Sequence, residues 1–498
     1  MIKRVFTLLT AVLLVFPILL TAYSVNQNKE NESANVETIT IGIPPEDFQN
    51  LVTREQETPY SVLVAADASR YRSATINICG SSSKVIGLNT APHRVPFELN
   101  FSNGNDAVPP FKNPTVKLVN SYTPFHLVAE YIAFDLFSSF GIPTPEHSFA
   151  FLQFNKTDFG LYLAVEDVNR YFITKSFKGN PGSLYKSCYS DYPETSDHPE
   201  DYMGSSVWFG DMFAKINKGS QRFQQLLDAL DQGSGYEKYL DVDQVLRFFA
   251  CTAAIGGSDS ILSGKTNFFL YENGNKFVLL PWDLSEAFID FTSGIGIDSF
   301  PDDTSPDQKN PLFQLIMSDP KNLAQYHEYI RQINDSFLDP DRIKPYVRTL
   351  VEQLEPYFLR DHTMFYNDEQ TPERLLTGKM LIGGNLLLAF DEMHRQLNEQ
   401  LDGKSDAFYV PEGWATLEVN DLESALELLN ENFFGDPDIV QKVCDSYDEW
   451  QVTSSVSEKS SISKKEIILI VVLFVAAFVI ILFLRKLIRF LRSRRQKE

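Results

Sequence analysis

Asp259-Ser260-Ile261-Leu262-Ser263-Gly264-Lys265-Thr266-Asn267, followed by Phe268-Phe269-Leu270-Tyr271 and then by Leu279-Leu280-Pro281-Trp282-Asp283, decides what this chain can be. The apolar run Val242 to Ile255 before it has a helical face, and Gly256-Gly257 end it. After it, residues 267–271 and 276–280 alternate as strands around Asn273-Gly274, the usual dipeptide of a tight hairpin turn. A helix, a loop and a hairpin therefore bring an acid, an amide and a second acid together. Asp259 can orient a hydroxyl, and Asn267 and Asp283 can offer hard oxygen ligands to Mg²⁺ on a phosphate. Taken singly, each has a plainer role: Asp259 as a turn residue, Asn267 as a partner for backbone groups at a strand start, Asp283 as a cap.

The same stretch imitates a phosphate-binding loop, Asp259 to Thr266 being one residue short of that motif. Such a loop follows a strand and opens a helix. Here a helix precedes and a strand follows, so the P-loop reading is rejected. The chain has no Gly-x-Gly-x-x-Gly loop, His-Arg-Asp triplet, Gly-x-Ser-x-Gly elbow or His-Glu-x-x-His pair.

Outward from this unit, residues 61–65, 74–78, 95–101, 148–154 and 160–166 read as strands, with a short one at Leu184-Tyr185-Lys186. Phe125 to Phe140 reads as a helix stopped by Gly141 and Pro143, with His126, Glu130 and Asp135 among its apolar residues. Residues 310–401 are mostly helical by period, and 190–204 read as a loop. The fold class expected is α+β, sheet-rich first and helical second. Lys186 can neutralise phosphate charge, and Glu166 can hold Lys186 in place.

The 498 residues carry a formal charge of −22, although Arg485, Lys486, Arg489, Arg492, Arg494, Arg495 and Lys497 cluster at one end. The rest is more acidic still and repels nucleic acid, so no nucleic-acid partner is expected. Lys3 and Arg4, the apolar run Val5–Leu20 and Ala22-Tyr23-Ser24 form the pattern of a signal peptide or signal anchor over residues 1–24. Ile467 to Leu484 is an apolar run long enough to span a bilayer, with the heavier positive flank after it. The organisation expected is a spacer over 25–59, a domain over 60–405, an acidic stalk over 406–463, a transmembrane helix over 464–486 and a cytoplasmic tail over 487–498. That arrangement places residues 25–463 on the cell surface or in a secretory lumen. Cys79, Cys188, Cys251 and Cys444 would allow two disulfides in three connectivities, and none is singled out.

A series of motifs resembles the CotH kinase family, an atypical branch of the protein-kinase-like fold. Gly80-Ser81-Ser82-Ser83 resembles the end of its early strand, Gly141-Ile142-Pro143-Thr144-Pro145 its Gly-x-Pro-x-Pro, and Gly160-Leu161-Tyr162-Leu163-Ala164-Val165-Glu166 its Gly-x-Tyr-x-x-x-Glu. Tyr185-Lys186 resembles its Tyr-Lys, Asp259-Ser260 with Asn267 its catalytic stretch, and Pro281-Trp282-Asp283 its Pro-Trp-Asp. The resemblance implies a two-lobed protein-kinase-like fold in which ATP and Mg²⁺ (or Mn²⁺) lie between the lobes and Ser or Thr of a protein substrate is phosphorylated. It implies Asp259 as the catalytic residue, Asn267 and Asp283 as metal ligands, and Lys186 and Glu166 on the nucleotide side. Two departures stand out. Cys79 replaces the usual Arg, and Ser285 replaces the second acid of Pro-Trp-Asp-x-Asp, with Glu286 one residue later. The rival expectations are a nucleotide-binding pseudokinase and a surface adhesin or envelope structural protein of the same fold.

Overall fold

The computed structural model describes residues 36–54, 58–66, 71–80, 82–90, 92–101, 112–121, 123–178, 182–188, 202–204, 220–257, 259–263, 266–274, 276–289, 291, 295–302, 305–364, 372–377, 385–414 and 435–451. The first half is dominated by a closed seven-stranded barrel. Its strands are β1 (Glu37–Gly42), β2 (Tyr60–Ala66), β3 (Arg72–Ile78), β4 (Phe97–Phe101), β5 (Thr115–Val119), β6 (His147–Phe154) and β7 (Thr157–Glu166), in the order β1-β2-β3-β4-β5-β7-β6. All neighbours are antiparallel except β1 and β6, which close the barrel in parallel.

Alternation explains the closure. On β4, Phe97, Leu99 and Phe101 face inward and are buried, while Glu98 and Asn100 face out. On β5 the inward pair is Val116 and Leu118, and Lys117 lies on the outer face. β6 and β7 are buried on both faces. One face fills the barrel with Leu152, Phe154, Tyr162 and Ala164, and the other presents Phe149, Phe151, Leu161 and Leu163 to a second core. The helix α1 (Pro45–Thr53) adds Phe48, Leu51 and Val52 to the barrel core.

Helix α2 (Ser82–Asn89) precedes β4, and helix α3 (Pro124–Ser139) lies between β5 and β6. α3 has no polar face to spare, because it packs on the outer faces of β6 and β7 and on the helical half of the chain. After β7 come α4 (Arg170–Ser176), the strands β8 (Leu184–Cys188) and β9 (Tyr202–Gly204), and the helices α5 (Gln221–Asp231) and α6 (Val242–Ala254). β10 (Phe268–Asn273) and β11 (Lys276–Pro281) join β8 and β9 in a sheet of order β11-β10-β8-β9. A short strand pair, β12 (Pro301–Asp302) and β13 (Ser305–Lys309), leads into the helical half. That half is α7 (Pro311–Met317), α8 (Pro320–Ser336), α9 (Pro340–Phe358), α10 (Pro372–Thr377) and α11 (Leu386–Leu401). Asn310, Asp319 and Asp339 each cap a helix whose first residue is Pro, the pairing expected where one side chain accepts an orphan N–H and the next residue lacks one.

The fold is therefore mixed α+β with a sheet-rich first part, as expected, and the helix before Asp259 and the strand after it both form. Two boundaries are corrected. The spacer expected over 25–59 contains β1 and α1, whose apolar residues close the barrel. The stalk expected over 406–463 contains Phe408 and Trp414, both buried in the helical core, and the helix α12 (Ile439–Asp445), which packs on α1. Trp450 follows and lies against Gly42, where a Cβ would meet its ring at 1.8 Å. Acidic composition concealed these anchors because a few apolar side chains suffice for docking. Of residues 190–204, only 202–204 are described, and they are a strand. Among the described residues no helix is long and apolar enough to cross a membrane. The runs Val5–Leu20 and Ile467–Leu484 lie outside the described residues. Cys251 and Cys444 are free thiols.

Candidate active site

The acid-amide-acid unit is held together by backbone geometry that only a few residue types tolerate. After α6, Gly256 and Gly257 adopt φ of 94° and 57°, which reverses the chain without a Cβ clash. Ser260 and Ser263 both donate from Oγ to the Gly257 carbonyl, at 2.7 and 2.6 Å. Asn310 Nδ2 donates to the carbonyls of Ile261 and Leu262 at 3.0 and 3.1 Å. These bonds fix the turn that carries Asp259. Asn267 then sits at φ 60° immediately before β10, and Asp283 at φ 47° two residues after β11. The hairpin register pairs Phe268 with Pro281, and Trp282 N–H donates to the Asn267 carbonyl at 3.3 Å. The two left-handed residues are thereby set at the same end of one hairpin.

Asn267 Nδ2 donates to Asp259 Oδ2 at 2.9 Å and to the Asp259 carbonyl at 3.1 Å. With Nδ2 spent on Asp259, Oδ1 is the amide atom able to meet a cation, and Thr266 Oγ1 donates to it at 3.4 Å. Ser285 Oγ donates to Asp283 Oδ1 at 2.8 Å, while Asp283 itself is exposed. Asp259, Ser260, Asn267, Asp283 and Glu286 line a small, partly open cleft whose apolar lining includes Phe137 and Phe248. The three residues predicted as catalytic and metal-binding are thus brought together.

Among the described residues no three His, Cys, Asp or Glu side chains converge closely enough to form a metal site by themselves. Such a donor set fits Mg²⁺ or Mn²⁺ shared with a substrate. Those ions are commonly held by one or two carboxylates, with phosphate oxygens and water completing the shell.

Of the two residues assigned to the nucleotide side, one lies over Trp282 and the other is a strut. Lys186 is paired with Phe269 on β10, and its ammonium lies 5.5 Å from the Trp282 ring centre, next to Asp283. Its charge also acts on Glu98 and Asp167. Glu166 is 2% exposed and is held by Lys175 Nζ at 2.5 Å, Glu146 N–H at 3.2 Å and Asn113 Nδ2 at 3.3 Å. The cation placed on Glu166 is therefore Lys175, a correction to the expected Glu166–Lys186 pair. Glu166 locks the end of β7.

Two buried or half-buried charged residues were given no role by the sequence. Lys117 stands opposite Glu98 in register and pairs with it. Burial would lower its pKa, but Glu98 and then Asp167 hold the ammonium well above its usual range. For Glu98 burial acts upward, and Lys117 overcomes it and holds the carboxyl below its usual range. Burial raises the Asp167 carboxyl. The signal available was a Lys between two inward-facing residues of a short strand, Val116-Lys117-Leu118. The second residue is Glu130, on α3. It is 1% exposed, and its Oε2 has no hydrogen-bond partner. Burial, together with the charges of Asp283 and Glu286, pushes its carboxyl well above the usual range, against the Leu284 backbone N–H, which favours the charged form. A lone Glu inside an all-round apolar helix was its signal.

Two comparisons with known proteins bear on this geometry. The CotH kinase protein family matches residues 80–379, an interval that holds Lys117, Glu130, Lys186, Asp259, Asn267 and Asp283. The inner spore coat protein H of Bacillus subtilis (strain 168) is 23% identical over 271 residues, covering 47% of this chain and 69% of that protein.

Proposed function

The chain belongs to the CotH kinase family, and on that premise we propose that it is an atypical protein kinase that transfers the γ-phosphate of ATP to Ser or Thr of a protein. The observation that carries this reading is the pair Asn267 and Asp283, both held at positive φ on one hairpin end, with Asn267 bonded to Asp259. Left-handed backbone at non-glycine residues costs of order 1–3 kcal/mol each and persists where the surrounding fold enforces it, commonly at functional sites.

In this reading the barrel is the small lobe and the helical half the large lobe, with α3 and the cleft between them. Asp259 accepts the proton of the substrate hydroxyl, whose oxygen attacks the γ-phosphorus. The bond from that phosphorus to the β-γ bridging oxygen breaks, and ADP leaves. Asn267 and Asp283 would hold Mg²⁺ or Mn²⁺. When bound, the ion supplies positive charge to the phosphate oxygens. Lys117 and Lys186 approach from the barrel and from β8, where a polyphosphate needs cations. Lys175 saturates Glu166, so Glu166 acts by fixing β7 and not by contacting nucleotide.

The surrounding topology is part of the proposal. The apolar run Ile467–Leu484 anchors the chain, and the catalytic part faces the cell surface or a secretory lumen. No nucleic-acid partner is proposed for so acidic a chain.

One observation favours a second reading, a nucleotide-binding pseudokinase. Ser285 replaces the second acid of the family motif, and its hydroxyl occupies Asp283 Oδ1. The test is transfer of labelled phosphate by the full-length chain with ATP and Mg²⁺ or Mn²⁺, alongside Asp259→Ala and Asp283→Ala. Transfer abolished in both variants supports the kinase. Metal-dependent ATP binding without transfer supports the pseudokinase. Neither transfer nor binding overturns both and leaves a surface binding protein.

A further inference from the structure

We propose that Glu130 supplies a second carboxylate to the cation held by Asn267 and Asp283, an inference that rests on the phosphoryl-transfer reading of the cleft. The starting point is an imbalance on α3. That helix buries two acids. Asp135 is fully used: His147 Nε2 bonds Oδ1 at 3.0 Å, and Tyr346 OH donates to Oδ2 at 2.8 Å. Glu130 is as deeply buried, yet Oε2 has no partner. A buried carboxylate oxygen left without a partner is costly and calls for an explanation such as an absent ion.

Its placement says which ion. Glu130 does not itself line the cleft, but Leu284, whose N–H lies toward its carboxyl, does, and so does Phe137, two turns along the same face of α3. The Glu130 carboxylate meets the stretch Asp283-Leu284-Ser285-Glu286. The Leu284 N–H lies toward it, and the charges of Asp283 and Glu286 act on it. A cation shared by Glu130 and Asp283 would compensate both carboxylates and occupy the orphaned oxygen. It would also compensate for Ser285, which deprives the family's usual pair of its second acid. The protein donors would then be two carboxylates and one amide. That set leaves room for phosphate oxygens in a six-coordinate shell.

The experiment is Mn²⁺ binding to the full-length chain, followed by the loss of the free-ion electron paramagnetic resonance signal, with and without a non-hydrolysable ATP analogue. Glu130→Gln keeps the shape and an acceptor for Leu284 N–H but cannot offer a carboxylate to the ion. The expected result is Mn²⁺ binding weakened at least tenfold in Glu130→Gln and in Glu130→Ala, with a urea midpoint for Glu130→Gln no lower than that of the parent. Binding within twofold of the parent in Glu130→Gln, while Asp283→Asn abolishes it, overturns the role of Glu130 and leaves the kinase reading intact. No Mn²⁺ binding by the parent chain, even with the analogue, overturns both.

Discussion

Asn267 donates from its side-chain amide to Asp259 Oδ2 at 2.9 Å while its own backbone stands at φ 60°. The bond and the strain are two sides of one arrangement. A right-handed or extended Asn267 would turn the amide away from Asp259. The left-handed one aims Nδ2 at the carboxylate. Asn is among the few residues with a Cβ that enter this region readily.

Substitution at Asn267 should therefore separate stability from activity. Asn267→Gly relieves the backbone while losing the two hydrogen bonds of Nδ2 to Asp259, so its unfolding free energy should stay within about 1–2 kcal/mol of the parent. Asn267→Ala keeps the strain without the local bond and should lose roughly 1–2 kcal/mol. Both should lower phosphoryl transfer at least a hundredfold. Urea unfolding and a transfer assay measure the two quantities on the same preparations. Full transfer by the stable Asn267→Gly variant would remove the amide from the catalytic set.

A second prediction concerns Gly160, the first residue of the Gly-x-Tyr-x-x-x-Glu strand. A Cβ there would lie 2.5 Å from Thr363 Oγ1, 2.7 Å from Asp361 Oδ1 and 2.8 Å from Arg94 Nη1. These are the members of a fully buried ion pair, Arg94 Nη1 to Asp361 Oδ2 at 3.1 Å, that ties the barrel to the end of α9. Asp361 also accepts from Leu161, Thr363 and Met364 N–H, and Arg94 stacks over the Tyr162 ring at 4.4 Å. Removing one buried partner leaves an uncompensated charge, so Arg94→Met should cost about 3–5 kcal/mol. Gly160→Ala should cost less, about 1–3 kcal/mol, by forcing the pair apart. Chemical denaturation checks both, and an effect of Arg94→Met below about 1 kcal/mol would show that the barrel does not depend on this tie.

That strand also shows how far the sequence could be read. The spacing of Gly160, Tyr162 and Glu166 was legible as a motif, yet all three serve packing. Gly160 admits the ion pair, Tyr162 donates to the Val95 carbonyl at 3.1 Å, and Glu166 is saturated by Lys175 and Asn113. The acid-amide-acid unit was legible because local signals all point one way there: Gly-Gly ends a helix, and Asn-Gly closes a hairpin whose register fixes both ends. Lys117 and Glu130 were not legible, because their meaning is set by partners far away in the chain. Lys117 has to be seen opposite Glu98 on the neighbouring strand, and Glu130 against Leu284. β1 and α12 were missed for the same reason, since each is short and acquires an apolar surface only when β6 or α1 arrives.

His126 gives a pH prediction. Half-buried at the start of α3, with Nδ1 2.6 Å from Thr123 Oγ1, its pKa is pushed by burial down to about 4. The folded pKa lies below the unfolded one, near 6.5. The fold therefore favours the neutral ring. That stability is complete above about pH 6.5 and is lost as pH falls from there toward 4. Partial exposure reduces the contribution, and a loss of about 1–2 kcal/mol is expected across that window. Urea midpoints of the parent and of His126→Gln between pH 7.5 and pH 5 should converge as the pH falls. Parallel curves would show that His126 titrates normally.

The last prediction separates the two lysines. Lys117 is engaged with Glu98, and Lys186 rests over Trp282. A nucleotide phosphate can recruit Lys117 only in competition with Glu98, so Glu98 should act as a brake on nucleotide binding. Glu98→Gln frees the ammonium and should tighten ATP binding several-fold, although Lys117 loses its partner. Lys117→Met should weaken ATP at least tenfold and cost about 1–3 kcal/mol of stability, because Glu98 is left without its cation. The double variant should recover most of the stability and none of the affinity, since only the first depends on matching the pair. Lys186→Met leaves the Glu98–Lys117 pair intact, so it should weaken ATP with little loss of stability. Thermal shift with a non-hydrolysable ATP analogue gives the affinities, and urea unfolding the stabilities. If Lys117→Met binds the analogue as tightly as the parent while Lys186→Met does not, Lys186 alone serves the phosphates and Lys117 is a barrel strut.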